Sequence, residues 1–329
     1  MQNFRRNLIV TIVISALLYL AWVFWAGWED IVQAFSQFEW WLLPVCLGLS
    51  LLNYAIRFCK WHYYLRILNI SLDPRISFQI YMSGMVMAAT PGKLGEVFKS
   101  YLLKSVSSTP ISQSAPIILA ERLTDFIAFL FLILMGITML PRGYTVFGIS
   151  LGIVIIILVL ISWKWAAEGL IGIISRFPLI RNHGEKLWTA YESTYLLIAP
   201  KPLFLATIVS LFSWYFECVS FALILWGFDF PLPLVQTTFI YAFATIIGAL
   251  FMTPGGLGPT EGTIGFLLMQ VAKVPRDIAA SSTLMIRACT LWFGVTVGLL
   301  VLTISSHNFH TLPTPEELDI VLEPASETK

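Results

Sequence analysis

Charge is what this chain has least of. Of its 329 residues 12% are Asp, Glu, Lys or Arg, against 57% hydrophobic ones, and the mean hydropathy is +0.81. A soluble domain carries roughly twice that charged share. The four cysteines, Cys46, Cys59, Cys218 and Cys289, fall in apolar runs without metal-ligand spacing, so they read as small buried hydrophobes. The sequence also lacks a P-loop, an H-E-x-x-H helix, a dinucleotide fingerprint, a D-D-x-x-D acidic cluster and a credible Ser-His-Asp set. Its four histidines, His62, His183, His307 and His310, lie away from the segments singled out below. No catalytic residue, no metal, no cofactor and no nucleic-acid partner is therefore expected.

What is present is apolar sequence long enough to cross a bilayer of ~30 Å several times. The expected class is an all-α polytopic membrane protein. Full helices are predicted over about residues 8–26, 40–58, 115–140, 146–163, 203–226 and 278–304. Arg5 and Arg6 precede the first, but its length and the lack of an A-x-A site read as a retained helix rather than a signal peptide. Residues 164–202 are richer in charge, with apolar positions at helical spacing, and predict an amphipathic helix on the membrane surface. The segment from residue 305 to 329 is acidic, contains proline and predicts a disordered tail.

Two further apolar units are broken. The first, about residues 76–103, contains Thr90-Pro91-Gly92-Lys93-Leu94-Gly95-Glu96; the second, about 234–271, contains Thr253-Pro254-Gly255-Gly256-Leu257-Gly258 with Glu261 just after. A Pro-Gly break inside lipid is costly because freed backbone groups find no water there. An arginine follows each string, Arg122 and Arg287. The offset between the copies is 160 at Ser50-Leu51-Leu52-Asn53-Tyr54 against Ser210-Leu211-Phe212-Ser213-Trp214. It is 163 at the Thr-Pro-Gly strings and 165 at the arginines. Two repeats are expected, about residues 40–140 and 203–304, within one domain covering 1–304. If each broken unit is re-entrant, Arg5, Arg6, Arg57, Lys60, Arg66, Arg75, Lys164, Arg176, Arg181, Lys186 and Lys201 gather on one side. The other keeps Arg142, Lys273 and Arg276. The positive-inside rule then gives cytoplasmic N- and C-termini, and the two repeats come out inverted.

At each break a new half-helix presents unpaired N–H groups and a positive dipole end, and glycines let an anion approach that backbone. The expected binding residues are Thr90, Gly92, Lys93, Gly95, Glu96 and Arg122 in the first copy. In the second they are Thr253, Gly255, Gly256, Gly258, Glu261 and Arg287. Arg122 has Asp125 at i,i+3, whereas Arg287 needs a remote partner: Glu261, Glu217 or the ligand. Glu96 and Glu261 can be helix caps or protonatable gates. Glu217, which the 160 offset matches to Arg57, is a candidate for proton coupling or an ion pair, with Asp125. Lys93 and Lys99 could draw phosphate from the inner leaflet. Gly148-x-x-x-Gly152 and Gly294-x-x-x-Gly298 suit close helix packing.

On Pro91–Glu96, the Glu121-Arg122 pair, Pro254–Gly258 with Glu261, and Arg287, the chain resembles a flippase-like membrane family. That family includes the integral-membrane half of bacterial lysylphosphatidylglycerol synthase/flippase proteins and stand-alone relatives. The resemblance implies a helical domain with re-entrant helices that moves an anionic or modified lipid, amino-acylated or polyprenyl-phosphate in type, between leaflets of the cytoplasmic membrane. Full-length synthases continue into a soluble aminoacyltransferase domain; here a short acidic tail follows, so aminoacyl transfer is not expected. Two other readings stand beside transport. One is an integral-membrane lipid or glycosyl transferase; the other is a non-catalytic partner of a lipid-modifying enzyme. A homodimer is also compatible with the sequence.

Overall fold

In a computed structural model the described residues are 27–89, 97–139, 143–162 and 184–309, with Gly169 and a few positions between 17 and 24. Every regular element among them is helical, as a chain that must satisfy its own backbone in lipid requires. The protein is an all-α membrane protein. In order these are α1 (Trp28–Gln37), α2 (Leu42–Ile67), α3 (Pro74–Gly84), α4 (Phe98–Ser107), α5 (Pro116–Leu134) and α6 (Gly143–Ser162). There follow α7 (Gly184–Leu197), α8 (Pro200–Gly227), α9 (Leu234–Leu250), α10 (Pro259–Gln270), α11 (Arg276–Arg287) and α12 (Phe293–Ser305). A π-helical turn, Ala288–Trp292, joins α11 to α12. Leu42–Ile67, Pro200–Gly227 and the continuous Arg276–Asn308 stretch, of 26, 28 and 33 residues, are long and apolar enough to span.

Local chemistry sets the boundaries. Proline stands in the first turn of α3, α5, α8 and α10, where its missing N–H costs nothing. Asp73 caps α3 by accepting from the Arg75 N–H at 2.8 Å. The long helices α2 and α8 stop in the same way. Asn69 (φ 55°) and Asp229 (φ 57°) turn left-handed, and Ile70 and Phe230 donate N–H back to the Leu65 and Leu225 carbonyls at 2.9 and 3.0 Å. These stops are 160 residues apart, as are the starts of α3 and α9 and those of α5 and α11. Left-handed Ser108 and Lys273 are 165 apart, the offset of the two arginines.

The α2–α8 pair is the most extensive helix–helix contact. Cys46 meets the Ser220 carbonyl, Asn53 Nδ2 donates to the Ser213 carbonyl at 2.8 Å, and Lys60 Nζ lies 2.6 Å from Ser210 Oγ. Residue numbers rise along one helix as they fall along the other, so the two run antiparallel, with Asn53 against the residue 160 positions on. α9 and α10 fold back on each other around the second break. One apolar core collects Phe129, Trp214, Phe221, Phe239, Ile264 and Ile286 from α5 and α8–α11. A second packs the later half of α2 against α3 and α4 through Trp61, Tyr64, Ile80 and Leu102.

Several expectations are corrected. The helix expected over 40–58 continues to Ile67, so Arg57 and Lys60 are not loop charges; Lys60 is wholly buried. Their counter-ion sits on another helix, which no reading of one segment could supply. Helix α5 ends at Leu134 rather than near 140. Cys59 is exposed, unlike the other three cysteines. Among the described residues nothing comes within 4 Å of a Cβ built on Gly148 or Gly152, so that spacing packs against none of them. Gly298, by contrast, lies against the Val86 nitrogen and Met82 carbonyl. The tail begins ordered: Phe309 is buried and Asn308 donates to Gln79 at 3.0 Å. Residues 310–329 and most of the expected helix over 8–26 lie outside the described residues. Of the amphipathic segment, α7 is described; Thr194 and Leu197 are buried, and Tyr191 donates to the Ile161 carbonyl at 3.1 Å.

Candidate functional site

The second break is built as its glycines require. Gly255, Gly256 and Gly258 hold φ of 59°, 72° and 87°, a region L side chains avoid. Glu261 then caps α10, its Oε2 accepting from the Gly258 N–H at 2.7 Å. Its other oxygen takes Arg287 Nε at 2.7 Å and the Tyr19 hydroxyl at 3.2 Å. Arg287 Nη2 donates to the Gly255 carbonyl at 2.5 Å. The partner of Arg287 is thus Glu261, and the two together hold the break closed against α11. Glu261 is cap and counter-ion at once.

A second charged group lies across from it. Asp125 on α5 receives Lys60 Nζ at 2.6 Å and Ser210 Oγ at 2.8 Å, with Arg57 Nη2 at 3.4 Å and Arg122 Nη1 at 3.9 Å. The Arg57 guanidinium also sits 4.9 Å over the Trp214 ring. Buried Glu217 accepts from the Tyr241 hydroxyl. Breaking such a buried arrangement by removing one partner costs roughly 3–5 kcal/mol.

Both groups face one cavity of about 360 Å³. Arg57, Arg122, Asp125, Glu217 and Arg287 line it, with Thr253, Gly255 and Gly256 of the second break. Met85 and Ala88, on the turn that leads toward the first break, complete the wall, and that turn packs against Pro254–Gly256. Thr90, Gly92, Lys93, Gly95 and Glu96 lie outside the described residues. Lys99 is not poised for an incoming phosphate: it is buried, 2.6 Å from Glu121 and 4.7 Å over the Trp61 ring. Sequence reasoning did not place Lys60, Tyr241 or Tyr54, which also lines the cavity, in the site, and it named Arg57 only as a loop charge and as the residue matched to Glu217. Two cations at i,i+3 in an apolar run, Arg57 and Lys60, were the available signal for the first pair. Among the described residues no group of three His, Cys, Asp or Glu side chains could hold a metal ion.

Described residues that are helical throughout their regular elements, folded around an arginine-lined cavity, define a polytopic membrane protein with a polar site between its helices. The chain belongs to the family described as the lysylphosphatidylglycerol synthase TM region, which it matches over residues 8–298. It is similar to a UPF0104 membrane protein of Methanothermobacter thermautotrophicus, 25% identical over 307 residues, covering 87% of this chain and 90% of that one. A UPF0104 membrane protein of Methanocaldococcus jannaschii is 22% identical over 327 residues, covering 90% and 94%.

Proposed function

We propose that the protein moves a lipid with an anionic headgroup between the leaflets of the cytoplasmic membrane. The observation that carries this reading is the single cavity in which three arginines meet the backbone of a broken helix. Guanidiniums and a glycine-rich break suit a phosphate. The headgroup lies in the cavity and the acyl chains stay in lipid. The antiparallel packing of α2 on α8, with Asn53 opposite Ser213, supports two inverted copies whose broken, re-entrant units reach the bilayer middle from opposite faces. Rocking of one copy against the other then gives alternating access.

The test is headgroup-resolved lipid translocation in proteoliposomes. Arg122, whose side chain keeps 28% exposure, is less built into the fold than Arg287, so both are changed. Arg122→Ala and Arg287→Ala are expected to lose transport by about tenfold or more, the worth of a lost charge-assisted hydrogen bond. Arg75→Ala, at an exposed position, is expected to keep it. Equal rates in all three would end the proposal.

A further inference from the structure

Tyr19 precedes both expected repeats, yet its side chain ends on the ion pair of the second break. Its hydroxyl donates to Glu261 Oε1 at 3.2 Å and accepts from Trp292 Nε1 at 3.1 Å. Its ring meets that of Trp292 edge-on, with 6.3 Å between centroids. Trp22, three residues on, fixes this approach: a Cβ on Gly265 of α10 would fall 2.8 Å from its ring. Trp22 and Val23 also pack against Ile31 and against Ala280 of α11. Trp292 closes the π-helical turn that follows Arg287, and such turns inside helices are frequent at functional sites.

Glu261 is thereby held by three donors of unequal kind. Its Oε2 takes the Gly258 N–H at 2.7 Å, while Oε1 takes Arg287 Nε at 2.7 Å and the Tyr19 hydroxyl. Of the three donor residues Arg287 alone is charged, and it alone lines the cavity. Removing one partner from a buried pair is costly chiefly because the other charge stays behind uncompensated. An anion that draws Arg287 away therefore needs the carboxylate to be kept satisfied. Two neutral donors set back from the cavity wall do that. The hydroxyl gains most once the carboxylate has lost its cation, since a hydrogen bond to an ionised group is about twice as strong as a neutral one.

We infer that Glu261 and Tyr19 make a hand-over site: an anionic headgroup entering the cavity takes Arg287 from Glu261, and Tyr19, a positioning residue, holds the released carboxylate. This rests on the reading of the cavity as an anion site. It adds a link from binding to motion, because the pair that ties α10 to α11 loosens only when an anion has arrived. An empty site stays closed.

The test is the affinity of the full chain in detergent for phosphatidylglycerol and for phosphatidic acid, titrated by native mass spectrometry. Tyr19→Phe removes one hydroxyl and keeps the ring. It leaves the released carboxylate a donor short, so both lipids are expected to bind about tenfold more weakly, the worth of one hydrogen bond to a charged group. Glu261→Gln removes the charge that competes for Arg287, so both are expected to bind more tightly, by a similar factor. Damage to the fold would weaken binding in both variants, whereas the hand-over moves them in opposite directions. In the double variant Tyr19→Phe is expected to cost nothing further, because no released charge is left to hold. If Glu261→Gln does not fold, the indole N–H resonance of Trp292, assigned with Trp292→Phe in tryptophan-labelled protein, takes its place. It is expected to shift in wild type with phosphatidylglycerol but not with phosphatidylcholine, and to stay put in Tyr19→Phe; a resonance that ignores both lipids in wild type would overturn the inference. Affinities that the two single variants move in one direction, or leave unchanged, would also overturn it and leave the anion reading of the cavity standing. Failure of wild type to bind either anionic lipid would remove both.

Discussion

Asp125 holds more of the site together than either arginine that the repeats point to. Its carboxylate takes Lys60 at 2.6 Å and Ser210 at 2.8 Å and faces Arg57 and Arg122 as well. Asp125→Asn would leave the wholly buried Lys60 ammonium without its counter-ion, at a cost of about 3–5 kcal/mol. Asp73→Ala removes a helix cap at an exposed position, worth about 1 kcal/mol. Thermal unfolding in detergent, followed by tryptophan fluorescence, should separate the two clearly, and equal destabilisation would contradict this view of Asp125. The residue types were legible in the sequence because a charge in an apolar run is conspicuous. Their pairing was only partly so. Asp125 could be set beside Arg122 by helical spacing, and Glu261 stood among three candidates for Arg287. Lys60, however, looks like the end of a helix when its counter-ion lies 65 positions further on.

At the scale of elements, the break between α9 and α10 depends on two glycines being bare. A Cβ on Gly248 would fall 1.9 Å from Thr260 Oγ1, and one on Gly256, already at φ 72°, 2.6 Å from the same atom. Gly248→Ala is therefore expected to cost about 1–3 kcal/mol by overpacking the hairpin. Combining it with Thr260→Ala should return part of that loss, because the two changes share one contact. Gly152→Ala, with nothing within 4 Å of the new Cβ, should stay within about 0.5 kcal/mol. If Gly248→Ala and Gly152→Ala unfold alike, the close approach of α9 and α10 is not what holds the break. The break itself was readable, since Thr-Pro-Gly-Gly inside an apolar run leaves the chain few alternatives. The same reading overrated Gly148 and Gly152, because small-residue spacing tells how closely a helix could be approached and not whether anything approaches it. Helix α2 was drawn short for the reason Lys60 was missed: its last turns are sustained by contacts with α5 and α8.

For the whole molecule, the proposed duplication rests on where helices start and stop rather than on sequence identity. Asn69 and Asp229 end α2 and α8 with the same left-handed turn, and these helices run antiparallel with Asn53 against Ser213. Two helices that occupy equivalent places in two copies, and that cross the bilayer in opposite senses, must open their C-terminal ends to opposite sides. Both ends are exposed, which makes the arrangement measurable. In a background with Cys59 replaced, since Cys46, Cys218 and Cys289 are buried, Asn69→Cys and Asp229→Cys are labelled in sealed vesicles of known orientation with a membrane-impermeant maleimide. By the positive-inside rule the Lys and Arg distribution, still weighted to one side after Arg57 and Lys60 are removed from it, predicts Asn69 inside and Asp229 outside. Asp229→Cys should therefore react in right-side-out vesicles and Asn69→Cys after inversion or permeabilisation. Labelling of both from one side would mean that α2 and α8 do not both span. Inverted copies could not then carry a headgroup from one leaflet to the other, however well the arginine-lined cavity binds it.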